Sequence, residues 1–148
     1  MTELMVLLLT FLAGVGLPLQ AIINARLGGV LGVPLGATLV NFGVGTLVIA
    51  GVLLAMQARP SFSTAIQGPW WLWVGGFFGV FVVTMSLIAA PRVGAATMVA
   101  LLVTGQLIGS LLLDHYGVLG LPEQNIDWKR VLGALMLLGG MVLIRGWR

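Results

Sequence analysis

No cysteine occurs in the sequence, which excludes disulfides and thiolate metal sites. Charge is also scarce: charged residues make up 7% of 148 residues, against about 25% in an ordinary soluble domain, and a soluble fold is excluded. The one histidine leaves no second partner for a zinc-protease pair and gives no workable Ser/His/Asp set, and no P-loop is present. With no metal-ligand cluster or cofactor fingerprint, the chain is not expected to be an enzyme, and no metal or cofactor is expected. The seven basic residues are scattered, so the net charge of +3 reflects few acids rather than a nucleic-acid surface. No Asp, Glu, Lys or His falls in the middle of an apolar run. A carboxylate switch at the bilayer centre is therefore missing.

What is present is apolar: 59% hydrophobic residues and a mean hydropathy of +1.14. Five runs are long enough to cross a ~30 Å hydrocarbon core at 1.5 Å per residue. They cover about residues 4–26, 35–57, 69–90, 93–113 and 128–146. The reading is an all-α integral membrane protein forming one domain, 1–148, in contact with the lipid bilayer. The opening Met1-Thr2-Glu3 lacks a basic n-region, so the first run reads as a retained helix rather than a cleaved signal. Gly28-Gly29 is expected to end that run, Ser61–Gly68 to be an external loop, and Pro69 to start the third helix. Pro91-Arg92-Val93-Gly94 reads as a tight break, and Asp127 as the cap of the last helix. Trp70, Trp71, Trp73, Trp128 and Trp147 suit the headgroup region.

The stretch Gly14–Asn24 combines features that lipid-facing helices avoid. Pro18 has no N–H and crowds the carbonyl of Gly14, so the helix is expected to kink or loosen there. Gln20 and Asn24 follow at i,i+4 on one face. A broken helix beside polar groups points to a transport site; the plainer reading is a packed kink with amides bridging helices. Thr38, Asn41 and Gly45 form a small polar stripe on the second run, and Gln106 follows Gly105 near the middle of the fourth. Each is either a pathway residue or interhelical glue. Gly75 and Gly79, with Gly133, Gly139 and Gly140, make smooth faces for helix packing or a dimer contact. Asp114 and His115 are an adjacent titratable pair at a helix end, able to relay protons or simply to sit hydrated at the interface.

Five spans place Arg26, Arg92, Arg145 and Arg148 on one side and Arg59, Lys129 and Arg130 on the other. Four against three is a weak orientation signal, compatible with insertion both ways or with one orientation. Gln20, Asn24, Thr38, Asn41, Thr84, Ser86 and Thr97 all fall in the half nearer the four-arginine side. A second, inverted copy would line the other half as well, by the logic of inverted repeats.

Gln20-x-x-x-Asn24-x-x-Leu27, Asn41-Phe42-x-x-Gly45, Ala90-Pro91-Arg92-x-Gly94-Ala95, Gly105-Gln106, Asp114-His115-Tyr116-Gly117 and Gly133-Ala134-Leu135-x-x-x-Gly139 occur in that order. In this the chain resembles the YdcZ-like family of the drug/metabolite transporter superfamily over nearly its whole length. The resemblance implies a bacterial inner-membrane protein of five transmembrane helices, half of a ten-helix inverted-repeat transporter. It also implies that halves pair antiparallel, as homodimers, heterodimers or fusions. The related small multidrug resistance proteins carry a carboxylate in the first helix, where this chain has Gln20 and Asn24, so proton antiport of cationic drugs is not carried over. The resulting expectation is a small-solute transporter working as a dual-topology dimer by alternating access. Pro18, Gln20, Asn24, Asn41 and Gln106 would line its pathway. The alternatives are a passive channel of the same architecture and a non-transporting membrane subunit.

Overall fold

The computed structural model describes residues 2–146; Trp147 and Arg148, assigned above to the headgroup level and the charge count, lie outside the described residues. The described chain is helical: α1 (Glu3–Leu31), α2 (Pro34–Ala55), short α3 (Phe62–Ile66), α4 (Val74–Val93), α5 (Ala95–His115) and α6 (Trp128–Arg145). Single 3₁₀ turns cover Trp70–Trp73 and Val118–Gly120.

The ends follow local chemistry, and several differ from the sequence expectation. α1 has Pro18 inside it and continues through Gly28-Gly29 to Leu31. The helix end expected at Gly28-Gly29 is thereby corrected. The Gly28 position is needed for closeness rather than for stopping: a Cβ there would sit 3.4 Å from the Cα of Pro34 and 3.7 Å from the Cβ of Ala37. The helix stops where Gly32 takes φ +75°, a conformation that L side chains rarely adopt. Pro34 then opens α2 after an extended Val33, where its missing N–H costs no helical hydrogen bond.

The segment expected as an external loop contains exposed α3. Pro69 caps rather than starts the Trp70–Trp73 turn, which passes directly into α4. Pro91 does not break the chain either. It rides in the last turn of α4, and the break falls at Gly94, with φ +86° and ψ 149°. Proline is tolerated near a helix end, whereas the turn itself requires a residue without a Cβ. Asp127 caps α6 as expected, its Oδ1 accepting from the Arg130 backbone N–H at 2.8 Å.

Among the described residues, four segments are long and apolar enough to cross a membrane: Glu3–Leu31, Pro34–Ala55, Trp70–Val93 and Ala95–His115. α6, 18 residues with Lys129 and Arg130 at one end and Arg145 at the other, is not among them. Its uncharged stretch, residues 131–144, is about 21 Å long against a ~30 Å core.

The chain divides into two compact units, Met1–Pro18 with Arg92–Arg148, and Leu19–Pro91. The first contains residues 3–18 of α1 and the α5–α6 pair, and the second contains residues 19–31 of α1, α2, and α4 as far as Pro91. Buried side chains are few and mostly small: Ala21, Ala37, Leu87 and Ala90 in the second unit, Met98 and Ala134 in the first. Large apolar side chains point outward, as with Leu47, Phe77 and Leu143. In water that surface would be prohibitive; in hydrocarbon it is the expected outer surface, and close approach through small residues supplies the packing. Exposed hydroxyls comply with the same rule. Thr10, Thr46 and Ser86 each donate to the carbonyl four residues back, at 2.8, 2.8 and 2.6 Å.

Candidate functional site: an amide and hydroxyl row

The polar side chains of the Leu19–Pro91 unit come together in pairs. Gln20 on α1 donates through Nε2 to Asn41 Oδ1 on α2 at 3.3 Å. Thr38 on α2 and Thr84 on α4 share a buried hydrogen bond of 2.9 Å between their hydroxyls. Thr38 is also 3.5 Å from the carbonyl of Pro34. Donation there leaves Thr84 as the donor within the pair.

Antiparallel register places the remaining amide. Gln20 faces Asn41 and Gly28 faces Pro34, so Asn24, midway between on α1, lies at the level of Ala37 and Thr38. Asn24 is 5% exposed, and its Nδ2 is a buried donor with no hydrogen-bond partner. An unsatisfied donor of this kind costs about 1–3 kcal/mol, and such groups in native proteins mark sites where a partner arrives or the structure rearranges. The row therefore holds one buried group without a partner. Its walls are apolar or small: Ala21, Gly28, Ala37 and Leu87 are all buried.

The other sequence candidates separate. Pro18 lines an apolar groove of about 560 Å³ in the first unit, together with Ala96, Ala100, Thr104, Met136 and Gly140. Gln106, exposed on α5, belongs to that unit as well and makes no side-chain hydrogen bond among the described residues. The five pathway candidates are thus divided, with Gln20, Asn24 and Asn41 in one unit and Pro18 and Gln106 in the other. Of the glycines, Gly79 meets Phe42, whose Cζ would lie 3.2 Å from an added Cβ. Gly45, Gly75, Gly133, Gly139 and Gly140 face open space within 4 Å.

Asp114 and His115 form a clasp at the end of α5. Asp114 Oδ2 accepts from Arg130 Nη1 at 3.3 Å, and its carbonyl accepts from the Gln124 N–H at 2.8 Å. Arg130 also donates to Gln124 Oε1, and His115 Nδ1 accepts from the Ile126 N–H at 3.4 Å. Both residues hold the 116–127 connection onto the ends of α5 and α6.

The Thr38–Thr84 pairing and the Arg130 clasp escape sequence reasoning. Both link residues on different helices, and nothing in the local spacing signals either. Thr84 stands out only as a hydroxyl in an otherwise apolar helix.

Residues 5–143 match the DMT_YdcZ family, described as "Putative inner membrane exporter, YdcZ". The chain is 32% identical over 145 residues to the inner membrane protein YdcZ of Escherichia coli (strain K12), covering 97% of each protein. No solved structure matches.

Proposed function

The chain belongs to the DMT_YdcZ family of the membrane, and from that we propose that it exports a small solute across a bacterial inner membrane. The exporting unit is an antiparallel pair of chains, each with five spans and α6 as the fifth. The observation that carries the transport reading is the open donor of Asn24, held at the level of the Thr38–Thr84 pair. A purely structural amide would be expected to find a partner in the folded chain; a solute-binding one is completed by its solute. Gln20 and Asn41 continue the row toward the membrane interior, and Pro18 lies two residues before it. The α1 helix is continuous at Pro18, so its weakness is the absent Pro18 N–H, which leaves the Gly14 carbonyl without its helical donor.

The weak charge bias and the polar groups gathered in one half of the bilayer favour pairing with an inverted copy. Alternating access then exchanges two states of equal energy, related by the two-fold axis. Reconstitution into liposomes tests the reading. Solute flux at carrier rates is expected, lost in Gln20→Ala and Asn24→Ala while the protein still assembles. Currents far above carrier turnover would instead indicate a channel. Because the chain has no cysteine, Ser63→Cys gives a background-free orientation probe, and labelling from both faces is expected. One-sided labelling would reject the dual-topology homodimer.

A further inference from the structure

Leu19–Pro91 contains no aspartate or glutamate, and its only charged side chains are Arg26 and Arg59. All four acids of the chain, Glu3, Asp114, Glu123 and Asp127, fall in the other unit. The unit that holds the polar row therefore brings no carboxylate of its own to it, and the row's one buried polar atom without a partner is a donor. The Thr38–Thr84 hydroxyls are turned toward each other, the Gln20 amide donates to Asn41, and Asn24 Nδ2 is the buried donor left without an acceptor. Arg26 follows Asn24 by two residues on α1. It is exposed and has no carboxylate within ion-pair distance among the described residues.

We infer that the solute taken at this site is an organic anion, a small molecule whose carboxylate or other oxyanion accepts a hydrogen bond from Asn24 Nδ2. The inference rests on the transporter reading above and names its substrate class. A donor bound to an anionic acceptor makes a charge-assisted bond about twice as strong as a neutral one. A cationic solute would meet no carboxylate from the Leu19–Pro91 unit, and its burial beside an amide N–H would be unfavourable. Arg26, exposed two residues beyond Asn24 in sequence, adds a positive field that favours anions over cations near this part of α1. In this conformation the Asn24 amide is closed off from solvent, so anion entry requires the packed faces of α1, α2 and α4 to part.

Three probes of similar size separate the possibilities: benzenesulfonate (permanently anionic), benzenesulfonamide (uncharged) and benzyltrimethylammonium (permanently cationic). Binding is read as a thermal shift of the full-length protein in detergent, and transport as uptake into proteoliposomes. Benzenesulfonate is expected to stabilise and to be taken up, the sulfonamide to act at least about tenfold more weakly, and the cation to do neither. Asn24→Leu keeps the side-chain volume and removes the orphan donor. It should fold with an unchanged or higher unliganded Tm and lose the benzenesulfonate shift. Asn24→Asp should lose the shift at pH 8, and Arg26→Gln should raise the half-saturating benzenesulfonate concentration several-fold without affecting the sulfonamide. A benzenesulfonate shift that survives Asn24→Leu, or a preference for the cation, overturns the anion assignment. Cation uptake abolished by Asn24→Leu would leave the transporter reading standing. Failure of the wild type to move any of the three would overturn the anion assignment and leave the transporter reading to the flux test above.

Discussion

Thr38 and Thr84, 46 residues apart in sequence, hold α2 and α4 together through one hydroxyl–hydroxyl bond of 2.9 Å at positions 3% and 7% exposed. Removing one partner strands the other in an apolar setting. Thr38→Val or Thr84→Val alone is expected to destabilise by about 1–3 kcal/mol, and the double variant by less than the sum of the singles. Thermal or denaturant unfolding in a fixed detergent measures the cycle, and additive singles would show that the hydroxyls act independently.

Pro18 sets stability against turnover. Pro18→Ala supplies the missing N–H for the Gly14 carbonyl and relieves a defect that costs a helix interior about 3 kcal/mol. The variant should melt higher than wild type and transport more slowly. A variant that is both more stable and equally fast would show that α1 does not flex at this point during the cycle.

Gly28 limits how closely α1 and α2 meet. An alanine Cβ there makes ordinary contact with Pro34 and Ala37, so Gly28→Ala should change stability by less than about 1 kcal/mol. Gly28→Leu has no such room between Pro34, Ala37 and Leu87 and should prise the hairpin apart, costing at least 1–3 kcal/mol by overpacking. The contrast between the two variants is the readout.

The Asp114–Arg130 pair is about one-third exposed on both sides, so solvent screens it. Asp114→Asn should cost no more than about 1 kcal/mol, and 1 M salt should remove most of the difference from wild type. The backbone bond from the Gln124 N–H to the Asp114 carbonyl persists in that variant, so the 116–127 connection should stay ordered, as hydrogen exchange at Gln124 would report.

α6 poses a separate question, because its uncharged stretch is short and Arg130 is held by Asp114 and Gln124. If it spans by local thinning and by extension of Lys129 and Arg145, then Leu121→Cys and Gly146→Cys in one fixed-orientation fusion will label from opposite faces. Labelling from the same face would reduce the chain to four spans.

Much of this architecture could be read directly from the residues. The long apolar runs announce their helices because membrane-scale hydropathy is a strong, local signal, and Asp127 shows as a cap for the same reason. Helix ends were less legible where glycine and proline were given the wrong duties. Gly28 and Pro91 look like stops, yet Gly28 serves contact with α2 and Pro91 falls in a last turn where its defects are tolerated. The stops are Gly32, which nothing in the local pattern singles out, and Gly94, the last residue of the break read at Pro91–Gly94; both take positive φ. The i,i+4 spacing of Gln20 and Asn24 announced a polar face. It did not disclose that Gln20 is satisfied by Asn41 while Asn24 is left open, since partner choice depends on the register between helices.

The turn between α1 and α2 bears on how the protein is made. Only Gly32 and Val33 separate the two helices, and no charge lies between Gly28 and Pro34. A hairpin this tight enters the bilayer as one object, tip first. The ionisable group nearest its tip is Arg26, and carrying one arginine to the middle of the bilayer costs only about 2.5–3.5 kcal/mol on translocon scales. The hairpin tip itself therefore presents only a small charge barrier to crossing the bilayer.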